Sequence, residues 1–202
     1  MSVSLKASLQ ITPAGGLAVR ARIENASAAD ILVLDRLWKL EKGNKSLDLE
    51  LAYRFERDGV LRILLGAAPL PRGKSVTYRN VPLATLVPAG RALERELVLA
   101  PPIKEYSIYF PEVDPERYEV KKAKSTCLVI DYVPVKPELS FRPSAADATA
   151  HEIANPVVAL SSAERLIHRE DTDGLEVKRR TDKLDRLALP GEAQEPLILS
   201  LG

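Results

Sequence analysis

Two histidines, His151 and His168, and one cysteine, Cys127, set a narrow limit on the chemistry this chain can perform. A serine hydrolase needs an imidazole beside a nucleophilic hydroxyl and a carboxylate to orient the ring. Serines and aspartates are plentiful, but neither histidine lies in a nucleophile motif and no G-x-S-x-G occurs. His168, in "RLIHRED", reads as an exposed strand or helix residue. Cys127 sits in the apolar run "STCLVIDY", where no neighbour promises a lowered thiol pKa, so it reads as a buried structural residue. Hard oxygen donors gather in "REDTDG" and make Asp171 and Asp173 a candidate calcium pair. The spacing departs from the helix-loop-helix calcium pattern, because Gly174 comes too early and Leu175 stands where a ligand is required, so a solvated turn is the better reading. Zinc requires clustered imidazole or thiolate ligands, which one cysteine and two distant histidines do not supply. Neither phosphate-cradling glycine motif is present. The sequence therefore implies no cofactor, no metal and no catalytic residue.

Binding chemistry is better represented. In "KEYSIYFPEVDPERYEV" the aromatic residues Tyr106, Tyr109, Phe110 and Tyr118 are interleaved with Glu105, Glu112, Asp114 and Glu116. Aromatic rings on a loop offer large contact area at low entropic cost, which suits recognition. The alternative is that they cap an open end of the fold, with Pro111 and Pro115 fixing the crossing. Basic triplets such as Lys178-Arg179-Arg180 are bracketed by Glu176 and Asp182, which describes a salt-bridged face and not a nucleic-acid footprint. The chain's 29 basic and 28 acidic side chains leave a net charge of +1, so no general pull toward nucleic acid or anionic membrane is expected.

The elements that must position these residues are strands. Val3, Leu5, Ala7, Leu9 and Ile11 alternate with polar residues, and Leu17, Val19, Ala21 and Ile23 do so after the turn at Pro13–Gly16. A period of two puts successive side chains on opposite faces of a pleated strand. Asn25-Ala26-Ser27 through Asp30 reads as a turn built from residues that bond their own backbone, and not as a glycosylation site; the same holds for Asn44-Lys45-Ser46. Leu47 to Phe55 alternates as one further strand, and Asp58-Gly59 predicts a hairpin into Val60–Leu65. Short strands are expected within Val76–Leu86, and clearer ones over Leu93–Leu99 and Thr126–Val133. Ile23, Val33, Leu51 and Leu97 are the expected core, and Trp38 joins it. No convincing helix appears, so the fold class is all-β, a sandwich or barrel.

The segments "VRARIENASAADILVLD", "VPAGRALERELVLAPP" and "STCLVIDYVPV" resemble an immunoglobulin-like β-sandwich of the kind common in bacterial proteins. The resemblance covers residues 1 to about 135, lacks the cysteine pair of antibody-type domains, and implies an antiparallel fold without an activity. Beyond it, residues 136–202 read as a C-terminal extension that packs on the sandwich without folding alone. Its first part is a Pro- and Ala-rich strap. After it, Asp173-Gly174 favours a hairpin, while Ser161-Ser162-Ala163-Glu164 fits a capping box for a short helix from Ala163. Its apolar pieces, ending with Leu197–Leu201, should lie against the sandwich or a partner subunit.

One cysteine allows no intrachain disulfide, "MSVSLKASLQI" lacks a signal-peptide core, and no window is apolar enough to span a membrane. A cytoplasmic location is the expectation. The leading function is a non-catalytic module that binds a protein partner, or a second copy of itself, through an edge strand, the aromatic loop 105–118 or the C-terminal extension. The alternatives are a hydrolase using His151 or His168 at the sandwich end, and a carbohydrate-binding module built on the aromatic loop.

Overall fold

A computed structural model describes residues 2–41, 44–69, 81–109 and 115–181. Phe110, the stretch 76–80 and Leu197–Leu201 lie outside the described residues. Along the chain come β1 (Val3–Ile11), β2 (Leu17–Asn25), β3 (Ile31–Glu41), β4 (Asn44–Asp48), β5 (Tyr53–Arg57) and β6 (Val60–Leu65). Beyond residue 80 follow β7 (Leu83–Val87), β8 (Ala92–Leu99), β9 (Ile103–Lys104) and β10 (Tyr118–Pro134). The last described part holds β11 (Phe141–Pro143), β12 (His151–Ile153), the helix α1 (Pro156–Ser161) and β13 (Glu164–Arg180). The protein is an all-β, sandwich-like fold. Among the described residues no helix is long and apolar enough to cross a membrane.

The small sheet is antiparallel, in the order β1-β2-β8. Its registers follow from the alternation: Leu9 pairs Val19, and Val19 pairs Leu97. The apolar face of all three strands turns inward, with Leu17, Val19, Ile23, Leu97 and Leu99 buried. In the large sheet, β10 lies at the centre. It pairs antiparallel with β13 along nearly its whole length, parallel with β6, and antiparallel with β3 at Tyr132–Pro134. Residues 126–133 of β10 are buried on both faces, which is why this run does not alternate. One face carries the main core against the small sheet. The other carries a second core of Leu32, Leu34, Val133, Leu139, Ala159 and Leu160, covered by the strap and α1.

Ile23, Val33, Leu51, Leu97 and Cys127 are buried as expected, whereas Trp38 is only half-buried. Asp58 and Gly59, with φ of 56° and 77°, form the expected two-residue hairpin between β5 and β6. The knot at Asn25 is a connection. Its Oδ1 accepts from the Ser27 hydroxyl at 2.6 Å, and its Nδ2 donates to the Ala29 and Val87 carbonyls at 2.9 and 3.0 Å.

Three local expectations are corrected. Leu47–Phe55 is not one strand, because the Asp48 carboxylate accepts the Glu50 N–H at 2.9 Å and turns the chain between β4 and β5. There is no hairpin at Asp173-Gly174. β13 runs straight through it as a bulge opposite Ala123–Ser125, with Gly174 at φ 86° absorbing the extra residues. The long partner edge of β10 offers more hydrogen bonds than a local turn would. The capping box at Ser161–Glu164 starts no helix either: α1 ends at Ser161, and Glu164 opens β13. The helix that does form is capped by Asn155, whose Oδ1 accepts the Val158 N–H at 3.3 Å, with Pro156 at its start. Residues 164–180 are thus a full member of the large sheet.

Candidate functional site

The two long sides of the sandwich differ. On one, β1 runs beside β13, and the Leu9 N–H, turned away from β2, donates to Glu170 Oε2 at 2.8 Å. That contact closes the side. On the other, β8 ends the small sheet, and its outer edge has no strand partner among the described residues. The Asn25 N–H donates to the Arg91 carbonyl at 2.9 Å, so odd-numbered residues of this strand turn their N–H and C=O groups toward β2. The even-numbered residues Glu94, Glu96 and Val98 therefore turn theirs outward.

Between this edge and β4 lies a groove of about 1070 Å³. Its floor is apolar and aromatic: Leu51, Leu99, Ile103 and Tyr106. Its rim is polar and carries both charges, with Asp48 and Glu50 on one side and Arg54 and Lys104 nearby. Val98, 59% exposed, lines its β8 side.

Of the aromatic residues singled out in the sequence, the structure brings Tyr106 to the groove. Its backbone pairs with Arg54 through N–H···O bonds of 2.9 and 3.0 Å in both directions. Its ring stacks on Tyr53, with centroids 6.2 Å apart and planes at 11°, and the Arg54 guanidinium lies 5.5 Å from its centroid. Tyr109 is half-buried against the main core, with its N–H donating to the Ser107 hydroxyl at 3.3 Å. Tyr118 begins β10, with the Lys104 ammonium 5.9 Å from its ring. These two rings pack against the body of the protein, outside the groove lining.

The remaining candidates are scattered. Asp171 and Asp173 are exposed on the bulge of β13, and among the described residues no three His, Cys, Asp or Glu side chains gather to hold a metal. His151, on β12, meets Phe141 edge-on at 5.4 Å. His168 lies on β13 with Nε2 3.5 Å from Glu170. Neither lines the groove.

A buried polar chain behind the groove was not foreseen. Arg95 of β8 points inward, its Nε 3.0 Å from Asp35 Oδ2 and one terminal nitrogen 3.1 Å from the Leu49 carbonyl. The Asp35 side chain is fully buried and also accepts from the Thr85 hydroxyl at 2.8 Å. Burial pushes its carboxyl above the usual range, against the pull of Arg95. Thr85 in turn accepts from Arg36 Nε at 3.3 Å, and Arg36 is paired with Asp147 in the strap. The pair ties β8 to the large sheet and fixes the groove wall. A signal existed in the sequence, since Arg95 occupies an inward position among Leu93, Leu97 and Leu99.

Beside the groove, Glu105 is buried with its carboxylate accepting the Glu56 N–H at 2.6 Å and the Arg180 N–H at 2.8 Å. It clamps the end of β13 to β5. Burial pushes it up to about 7, although both backbone donors favour its charged form.

No family model, curated protein or solved structure matches the chain.

Proposed function

We propose that this protein is a non-catalytic β-sandwich module that binds a partner protein by accepting an extended segment along the open edge of β8. A single observation carries the reading: the outward backbone donors and acceptors of Glu94, Glu96 and Val98 have no strand partner among the described residues, and at Val98 this edge meets a groove lined in part by Leu51, Leu99, Ile103 and Tyr106. Strand addition obtains affinity from the main-chain ladder and specificity from alternate side chains, which this arrangement can supply. The carbohydrate alternative fares worse, because Tyr106 stacks on Tyr53 and carries Arg54, so its ring is not an open platform for a sugar. A hydrolase site would need a histidine near a concave surface, and the groove lining contains none.

The test uses the full chain and Val98→Pro. Proline removes the outward N–H without touching a ladder bond to β2, and such a position tolerates it. The expected result is that a partner captured by the wild type is lost by Val98→Pro at unchanged thermal stability. A partner held equally by both proteins would refute the reading.

A further inference from the structure

The outer face of the small sheet is ordered in rows across the strands, and each row stops at the open edge. In one row Arg22 of β2 faces Glu94 of β8, with Nη1 2.6 Å from the carboxylate. In the next, Arg20 faces Glu96 at 3.3 Å. In the third, Ala18 faces Val98. Directly opposed side chains in neighbouring strands attract when their charges are opposite and repel when they are alike. Each glutamate has a cation on its β2 side and nothing on its edge side among the described strands, and both carboxylates are more than 70% exposed.

Resting on the strand-addition reading above, we infer that the segment β8 accepts carries basic residues opposite Glu94 and Glu96 and an apolar residue opposite Val98, at alternate positions. In an antiparallel guest the order is apolar-x-basic-x-basic; in a parallel guest it is the reverse. The intervening side chains turn to the inner face of the sheet, and those near Val98 meet the groove lined by Leu51, Leu99 and Tyr106. The same rows disfavour a second copy of this chain as the occupant. β8 against itself sets glutamate against glutamate in each register that overlaps the middle of the strand, so the edge is protected from self-pairing while remaining open to a cationic strand.

The probe is a blocked fluorescent peptide of about nine residues, with valine, arginine and arginine at alternate positions and threonine between them. A twin peptide carries glutamate for arginine. At low salt the arginine peptide should bind the full chain at least about tenfold more tightly than its twin, and the preference should shrink as salt screens it. Glu94→Arg with Glu96→Arg should invert the order. A fourfold exchange that adds Arg20→Glu and Arg22→Glu restores the cross-strand pairs and should invert it likewise, which covers a folding defect in the double variant. Glu138→Arg with Glu176→Arg makes the same change in net charge away from β8 and should leave the preference intact. If both peptides bind alike and both are lost with Val98→Pro, the edge is a strand acceptor and the charge inference is overturned. If neither binds at millimolar concentration, both readings fall.

Discussion

Replacing Arg165 by methionine should cost far more than a surface ion pair would. Its partner Asp131, near the C-terminal end of β10, is fully buried; Arg165 Nε donates to Oδ1 at 2.7 Å and Nη2 to Oδ2 at 3.3 Å. The Ala67 N–H also donates to Oδ2, at 3.3 Å. The pocket has no slack: a Cβ on Gly66 would lie 2.3 Å from Oδ2. Removing one partner of a buried pair typically costs 3–5 kcal/mol; Arg165 remains a quarter exposed, so water reaches the site and roughly 2–4 kcal/mol is the expected loss. The loss depends on pH. Burial already holds the Asp131 carboxyl above its ordinary value of 3.8 against the pull of Arg165, and without the arginine it rises further. A carboxyl whose folded pKa is raised penalises the fold above that pKa, and the penalty fades as pH falls through it toward the unfolded value. Urea unfolding should therefore show the gap between wild type and Arg165→Met widest at about pH 8 and narrower at about pH 5. Adding Asp131→Asn, which removes the stranded charge, should recover most of the loss at about pH 8. A cost below about 1 kcal/mol, a gap independent of pH, or a double variant no better than the single would refute this account.

Two further predictions follow from buried polar groups. Glu105, raised from 4.5 to about 7, penalises the fold above about pH 7, and the penalty is relieved as pH falls toward 4.5; the stability of wild type relative to Glu105→Gln should therefore increase by up to about 3 kcal/mol between pH 8 and pH 5, read by chemical unfolding. Asn25→Ala strips the side-chain donor from the buried Val87 carbonyl and one of two donors from the Ala29 carbonyl, which keeps the Ser27 hydroxyl, so it should cost roughly 2–3 kcal/mol in urea, whereas Ala28→Gly in the same loop should cost well under about 1 kcal/mol.

The local order of this fold was legible wherever one face of a strand is wet. β1, β2 and β8 announce themselves by alternation, and their inward residues Leu9, Leu17, Val19, Ile23, Leu97 and Leu99 enter the core, while Ile11 at the end of β1 stays exposed. Asp58-Gly59 specified its hairpin because both residues reach positive φ at low cost. Legibility failed where a distant partner outcompeted a local signal. Asp173-Gly174 carries the same turn chemistry, yet β10 pairs on both sides of it, and a glycine that could reverse the chain accommodates a bulge instead. The helix α1 was missed although Asn155-Pro156 is a sound start signal, because six residues are too few to show a period.

The open edge illustrates the deeper limit. Alternation tells which face of β8 is wet, but not which of its edges lacks a neighbour, since that depends on sheet order and hence on pairings between residues far apart in the chain. β8 could equally have been an inner strand with a cation on each side of its glutamates. What the sequence does hold is a charge pattern, Glu94 and Glu96 flanking the inward Arg95, that is half satisfied once β2 is in place. The inward arginine is neutralised by Asp35 and fixes the strand to the large sheet; the outward glutamates are matched from one side alone. A strand anchored from within and left half matched without has its register set beforehand, so in the proposed strand addition the ordering cost falls on the guest. For that reason the proposed binding edge is β8 and not the aromatic loop: Tyr109 and Tyr118 already spend their rings on the body of the protein, whereas the backbone groups of Glu94, Glu96 and Val98 have no partner among the described strands.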